Sequence, residues 1–162
     1  IFMKFDNTDL EILQILQISG REPASNIAEK LNVSVPTITD RIRKLQENGV
    51  IIGFQAIIDP LPLGLDVSAI ITIISGSSQY YKEVTLAAKK MSEIVQCFST
   101  TGNGSHTLLV NTENSNSLEE LLRTIQSWPG VIRTETQIIL SSYKYGSTIP
   151  INKATKKLNK SE

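Results

Sequence analysis

Apolar residues recur at helical spacing through the first third of the chain. Over Asp9 to Ile18, Leu10, Leu13 and Leu16 fall three apart with Ile12 beside them, and Thr8 with Glu11 supplies a Thr-x-x-Glu capping box. Gly20 stops that helix. After Pro23, Ile27, Ala28 and Leu31 share one face of a short second helix, and Asn32 is a residue type that accepts a left-handed cap. A short link ending at Ser34 leads into a third helix. Ser34 is its expected N-cap, Pro36 lies in its first turn, Ile38, Ile42 and Leu45 form its buried stripe, and Asn48-Gly49 closes it. Two short helices across so tight a turn, completed by a preceding helix, have the form of a helix-turn-helix.

The period then changes. Val50 to Pro60 is β-branched and apolar and ends on Asp59-Pro60, so it reads as a strand leaving the helical domain, with Pro60, Pro62 and Gly64 as a hinge. Beyond it the pattern predicts a strand (Val67 to Ile74), a helix (Tyr80 to Met91), two strands (Ile94 to Thr100, Thr107 to Thr112), a helix (Leu118 to Ser127) and a strand (Val131 to Leu140). The helix faces are Tyr80, Val84, Ala88, Met91 and Leu118, Leu121, Leu122, Ile125, and Ser117 with Glu120 reads as a second capping box. The order β-α-β-β-α-β is the split βαβ arrangement. The expected class is therefore α+β: an N-terminal helix-turn-helix domain (3–49), a strand linker (50–64), a ferredoxin-like βαββαβ domain (65–145) and a basic, mobile tail (146–162).

In the first of these strands Val67, Ala69, Ile71 and Ile73 point one way, and Ile70 and Ile74 point the other. Two helices cover only one face of a four-stranded sheet. The second apolar face predicts a cover, either an identical sheet from another chain or this chain's own linker strand.

Composition narrows the chemistry. The 162 residues are 40% hydrophobic and carry 16 basic against 16 acidic side chains. The balance is uneven along the chain: residues 1–60 are net −2, 61–145 net −1, and 146–162 net +3 through Lys153, Lys156, Lys157 and Lys160. Neither body segment binds polyanions by bulk charge, so a nucleic-acid argument rests on a few placed residues, with the tail as a candidate extra phosphate clamp. Apolar runs such as Val50 to Ile52 and Ala69 to Ile71 are far shorter than the roughly 18 residues of a membrane span, and no charged-then-apolar leader opens the sequence. With Cys97 the only cysteine and His106 the only histidine, disulfide frameworks, thiolate clusters, most zinc sites and Ser-His-Asp chemistry are not expected. The expectation is a cytoplasmic protein without membrane partner, metal or cofactor. Cys97 reads as a small core residue, and His106 as a surface or interface histidine or a pH-sensitive ligand contact.

Helical geometry exposes Pro36, Thr37, Thr39, Asp40, Arg43 and Lys44 on the third helix, with Arg41 at the flank. Short hydroxyl side chains near a recognition helix's N-terminus reach base edges, and Arg and Lys further along reach phosphates or guanine. Ser34, Pro36, Thr37, Thr39, Arg41, Arg43 and Lys44 are thus the candidate DNA-binding residues. Exposed Asp40 and Glu47 favour the competing reading, an ordinary solvated face or a protein-docking module.

Several motifs together give the chain a family likeness: D-x-x-I-L at Asp9 to Leu13, S-V-P-T-I-T-D-R-I-R-K-L-Q-E-N-G-V-I at Ser34 to Ile51, G-F-Q-A-I-I-D-P at Gly53 to Pro60, and W-P-G-V at Trp128 to Val131. Over about residues 5–145 the chain resembles the Lrp/AsnC ("feast/famine") transcription regulators. The resemblance implies a winged helix-turn-helix hinged to an effector-binding and oligomerisation domain. It also implies double-stranded DNA as partner, homodimers that assemble into tetramers or octamers, and amino-acid effectors bound between dimers. In that family the loop between the middle strands carries Gly, an acidic residue, any residue and Asp, often followed by Tyr. Here the run is Gly102, Asn103, Gly104, Ser105, His106, and both acidic positions are absent. An ammonium there meets only neutral acceptors, weaker by roughly a factor of two per bond. Thr100, Thr101, Gly102, Asn103, Gly104, Ser105 and His106 are therefore candidate contacts for a polar or anionic effector held through backbone amides, or a structural loop.

Two further functions remain open at this level. Siroheme decarboxylases resemble the same two-domain arrangement, and here a tetrapyrrole enzyme would draw on His106 with Arg123 or Arg133. An architectural protein binding duplex DNA with little sequence preference would differ only in its specificity ratio.

Overall fold

The computed structural model describes residues 5–144, 146 and 148–151. The described residues divide into two compact units, one formed by residues 5–57 with 146 and 148–151, the other by Ile58–Lys144.

The first unit is three helices, α1 (Asn7–Ile18), α2 (Ala24–Leu31) and α3 (Val35–Glu47). They close on Ile12, Leu16, Ile27, Ala28, Ile38 and Leu45, with Leu13, Leu31 and Ile42 packed at the margin. Asn32 ends α2 in the left-handed region at φ 52°, and the Ser34 side chain caps α3 by accepting from the Thr37 amide. The cap of α1 differs from the expected Thr8–Glu11 box. Asp6 accepts from the Asp9 amide at 2.9 Å while the Asp9 carboxylate accepts from the Asp6 amide at 3.2 Å. Asp-x-x-Asp satisfies the same two orphan donors, so the helix starts two residues earlier than the Thr-x-x-Glu spacing suggested.

Val50 and Ile51 fold back onto the end of α3, both amides donating to the Leu45 carbonyl. The rest of the stretch to Pro60, expected as a strand, makes no strand pairing among the described residues. A strand needs a neighbour to take its backbone donors and acceptors, and this apolar segment has none among the described residues. Ile52 is 97% exposed, and Ile57 and Ile58 are also open to solvent.

The second unit contains β1 (Val67–Ser75), α4 (Tyr81–Ala88), β2 (Ile94–Ser99), β3 (His106–Thr112), α5 (Ser115–Gln126) and β4 (Val131–Ile138). The sheet order is β2-β3-β1-β4 with every neighbouring pair antiparallel, the arrangement the split βαβ pattern requires. Ala69, Ile71, Ile73, Leu108 and Val110 bury against Val84, Ala88, Leu118, Leu121 and Ile125, and Cys97 packs at the margin of this core. Helix α5 begins at Ser115, not Leu118, because Asn114, in extended backbone, accepts through its side chain from the Asn116 and Ser117 amides and replaces the expected Ser117–Glu120 box. Helix α4 ends at Ala88, short of Met91, and Lys89–Met91 continue as turns. On the other face Ile70, Ile74 and Leu109 are half-buried and Phe98 is exposed.

Residues 149–151 depart from the expected free tail. The Ile149 amide donates to Gln17 Oε1 at 3.0 Å, the Gln17 amide nitrogen donates back to the Ile149 carbonyl at 3.3 Å, and Ile151 is buried. One reciprocal amide pair and one aliphatic side chain thus hold residues that composition alone left loose. Lys153, Lys156, Lys157 and Lys160 lie outside the described residues.

Ile71 is fully buried at the centre of the sheet core. Ile71→Ala is expected to lower the stability of this unit by about 2–5 kcal/mol, seen as an earlier urea midpoint with an unchanged denaturant slope.

Candidate functional site

Helix α3 buries Ile38 and Leu45 and leaves the opposite surface to solvent. On that surface Ser34, Pro36, Thr39, Arg43 and Lys44 are exposed, and Thr37, Asp40 and Arg41 are half-buried. Ser34 and Thr37 share a hydrogen bond between hydroxyls at 2.7 Å, and the Thr39 hydroxyl donates back to the Val35 carbonyl at 3.1 Å. Such bonds fix the hydroxyls and leave their acceptor lone pairs available.

The three cations divide by partner. Arg41 reaches across to the start of α1, where one guanidinium nitrogen lies 2.6 Å from Asp6 and 2.8 Å from Asp9. The Asp9 carboxylate is nearly buried, so this pair belongs to the packing of α1 on α3. Backbone donation from Asp9, with Arg41 beside it, holds the Asp6 carboxyl below its ordinary range. Arg43 instead pairs along its own helix with Asp40 and with Glu47 at 2.7 Å, and Lys44 with Asp40 at 2.8 Å. Those pairs are exposed and screened by solvent, and yield readily to a phosphate. Sequence reasoning placed Arg41 with the DNA contacts, missed Asp6, and took Asp40 as a solvated charge without its partners; the readable signals were the Asp6-x-x-Asp9 box and the i,i+3 and i,i+4 spacing of Asp40 to Arg43 and Lys44. Asp9, Thr37, Asp40, Arg41 and Lys44 line a shallow cleft at the N-terminal half of α3.

The candidate effector loop splits in two. Thr100, Thr101, Gly102 and Asn103 are exposed, whereas Ser105 and His106 are buried. The Ser105 amide donates to the Ile73 carbonyl at 2.8 Å, and its hydroxyl shares a bond with Ser75 at 2.8 Å. A Cβ at Gly104 would collide with the Thr72 side chain, so only glycine lets the loop press this closely on β1. His106 is 2% exposed, so of the surface, interface and ligand-contact positions expected of it the surface one does not hold. Its Nδ1 lies 3.0 Å from the Ser105 hydroxyl, and the Tyr81 ring meets it edge-on at 5.0 Å. The inward alternation of β3, continuous with Leu108 and Val110, directs the imidazole into the core. Burial lowers its pKa.

Residues 5–52 match a family profile described as winged helix-turn-helix DNA-binding, and residues 67–149 match one described as the Lrp/AsnC ligand binding domain. The chain belongs to the Lrp/AsnC family. It is 39% identical over 146 residues to the HTH-type transcriptional regulator FL11 of Pyrococcus horikoshii, covering 90% of this chain and 96% of that one. It is 36% identical over 138 residues to the regulatory protein AsnC of Haemophilus influenzae, covering 85% and 92%. The solved structure of a feast or famine regulatory protein from M. tuberculosis complexed with L-methionine superposes with a TM-score of 0.84 at 30% identity, covering 91% of this chain and all of that one. This Lrp/AsnC protein is a transcriptional regulator with a helix-turn-helix DNA-binding domain, and none of these relatives is named as an enzyme. The groups a tetrapyrrole enzyme would use are not assembled either. His106 is buried, while Arg123 and Arg133 are exposed and paired with Glu119 at 2.6 Å and Glu135 at 3.0 Å. No helix among the described residues is long and apolar enough to cross a membrane.

Because burial keeps His106 neutral in the folded chain, an unfolded histidine takes up its proton first, near pH 6.5. Stability of this unit is therefore full above that pH and falls as pH drops from there toward the lowered folded value. Denaturation midpoints measured across this range are expected to show the fall in the wild type and to lose it in His106→Gln.

Proposed function

We propose that this regulator binds a pseudo-palindromic duplex site as a dimer or higher oligomer, with the two α3 helices in successive major grooves. The observation that carries the reading is the solvent-facing surface of α3, where Ser34, Pro36, Thr37 and Thr39 lie toward the N-terminus and Arg43 and Lys44 follow within two turns. Hydroxyl and pyrrolidine groups suit base edges and thymine methyls, and the two cations suit phosphates or guanine. Arg41 contributes by seating α1 on α3. The half-buried Ile70, Ile74 and Leu109, the exposed Phe98 on the same sheet face and the open Ile52, Ile57 and Ile58 support self-association as the source of the second helix.

The M. tuberculosis relative complexed with L-methionine supports a small-molecule effector here as well. The exposed part of the loop, Thr100 to Asn103, offers hydroxyls, a side-chain amide and backbone amides, with Gly102 at φ 104°. That set favours a polar or anionic ligand over a free amino acid whose ammonium needs a carboxylate. A cytoplasmic site of action fits a single cysteine and a DNA target.

The test is footprinting and titration on sites selected from genomic DNA. Arg43→Ala is expected to weaken binding several-fold on every site and to flatten the dependence of log affinity on log salt by about one unit per half-site. Arg41→Ala is expected to lower the melting temperature of the first unit while leaving that slope unchanged. Identical footprints and slopes for wild type and Arg43→Ala would count against the assignment.

A further inference from the structure

We propose that Asp40 is a specificity-determining residue of the recognition helix, its carboxylate accepting from the exocyclic amino group of a cytosine in a C·G pair. The proposal rests on the DNA-binding reading and adds to it a residue and the base that residue reads. Asp40 sits one turn beyond Thr37 on α3, and both line the same shallow cleft with Lys44. This is the N-terminal half of the helix, the part that approaches base edges.

A carboxylate in that position is at odds with a partner whose backbone is a row of anions. It donates nothing to a phosphate, and it repels one. The donors that a major groove offers are the amino groups of cytosine and adenine. Adenine carries an acceptor, N7, beside its amino group, which opposes a second acceptor from the protein. Cytosine presents its amino group without one, and its guanine partner places O6 and N7 next in line.

Asp40 matches that edge because it already stands in a donor–acceptor arrangement. One carboxylate oxygen takes Arg43 and the other takes Lys44. Each oxygen has a second lone pair, so the group accepts from a cytosine amino group without releasing both cations. The same two cations lie beside it to donate to guanine O6 or N7. Acceptor next to donor on the helix then meets donor next to acceptor on the base pair. The contacts with Lys44 and then Arg43 also lower the pKa of Asp40 and favour its ionised form, the state that accepts.

Glu47 gives the internal control. It too pairs with Arg43, but it is the last residue of α3, two turns beyond the N-terminal half. The experiment selects randomised duplexes with full-length wild type, Asp40→Ala, Asp40→Asn and Glu47→Gln at one salt concentration, reading affinity and base preference at each position. Asp40 is a surface residue outside the head core, so its variants are expected to fold, and circular dichroism verifies this. The expected result is a C·G preference at one position per half-site that falls roughly 5- to 150-fold in Asp40→Ala, turns toward A·T in Asp40→Asn, and survives in Glu47→Gln. If Asp40→Ala and Glu47→Gln both tighten every duplex equally and leave the preferred sequence intact, Asp40 is only a repulsive charge and the proposal is overturned. A wild type that selects no sequence overturns the DNA-reading assignment itself, and this one with it.

Discussion

The burial of Ile38 and Leu45, two turns apart on one edge of α3, is the contact on which the working surface of this protein depends. Both are sealed against Ile12, Leu16 and Ile27, and each contributes roughly 1.5–3 kcal/mol by leaving water. With that edge fixed, the helix has no freedom to roll, and the residues between its apolar positions have one place to go. Arg41 adds a second restraint, because its guanidinium is committed to the two carboxylates that cap α1. The cap of one helix and the orientation of another are therefore a single electrostatic unit.

Charge on the exposed side of α3 is balanced pair by pair. Arg43 and Lys44 share Asp40, and Glu47 takes the remaining face of Arg43. A surface arranged this way presents little net attraction to an arbitrary duplex. On the proposed reading, its cations reach a duplex by exchanging these carboxylates for phosphate or base-edge partners.

Much of this was legible in the chain itself. The apolar spacings gave the three helices and the βαββαβ order because a core imposes its own period on any element that covers it. Ser34 and Asn32 took the capping roles their side chains suit. The misses have particular causes. Asp6 displaced Thr8 and Asn114 displaced Ser117, since several short polar residues upstream of a helix compete for the same amides and three-dimensional reach decides. Val50 to Pro60 has strand chemistry without a strand's neighbour, and no local pattern supplies one. The inward turn of His106 follows from the phase of β3, but that phase is set by Ser105 bonding to Ile73, a long-range contact.

The reciprocal bond between Gln17 and Ile149 changes how the chain's topology is understood. With residues near both ends gathered into one unit, the sheet unit is an insert that leaves and re-enters the helical one. Melting the insert while the head stays folded releases a loop whose ends are still tied, so it gains less conformational entropy than a free chain of the same length. The head thus lends the sheet unit stability through the chain's connectivity, by denying its unfolded state part of the room it would otherwise explore.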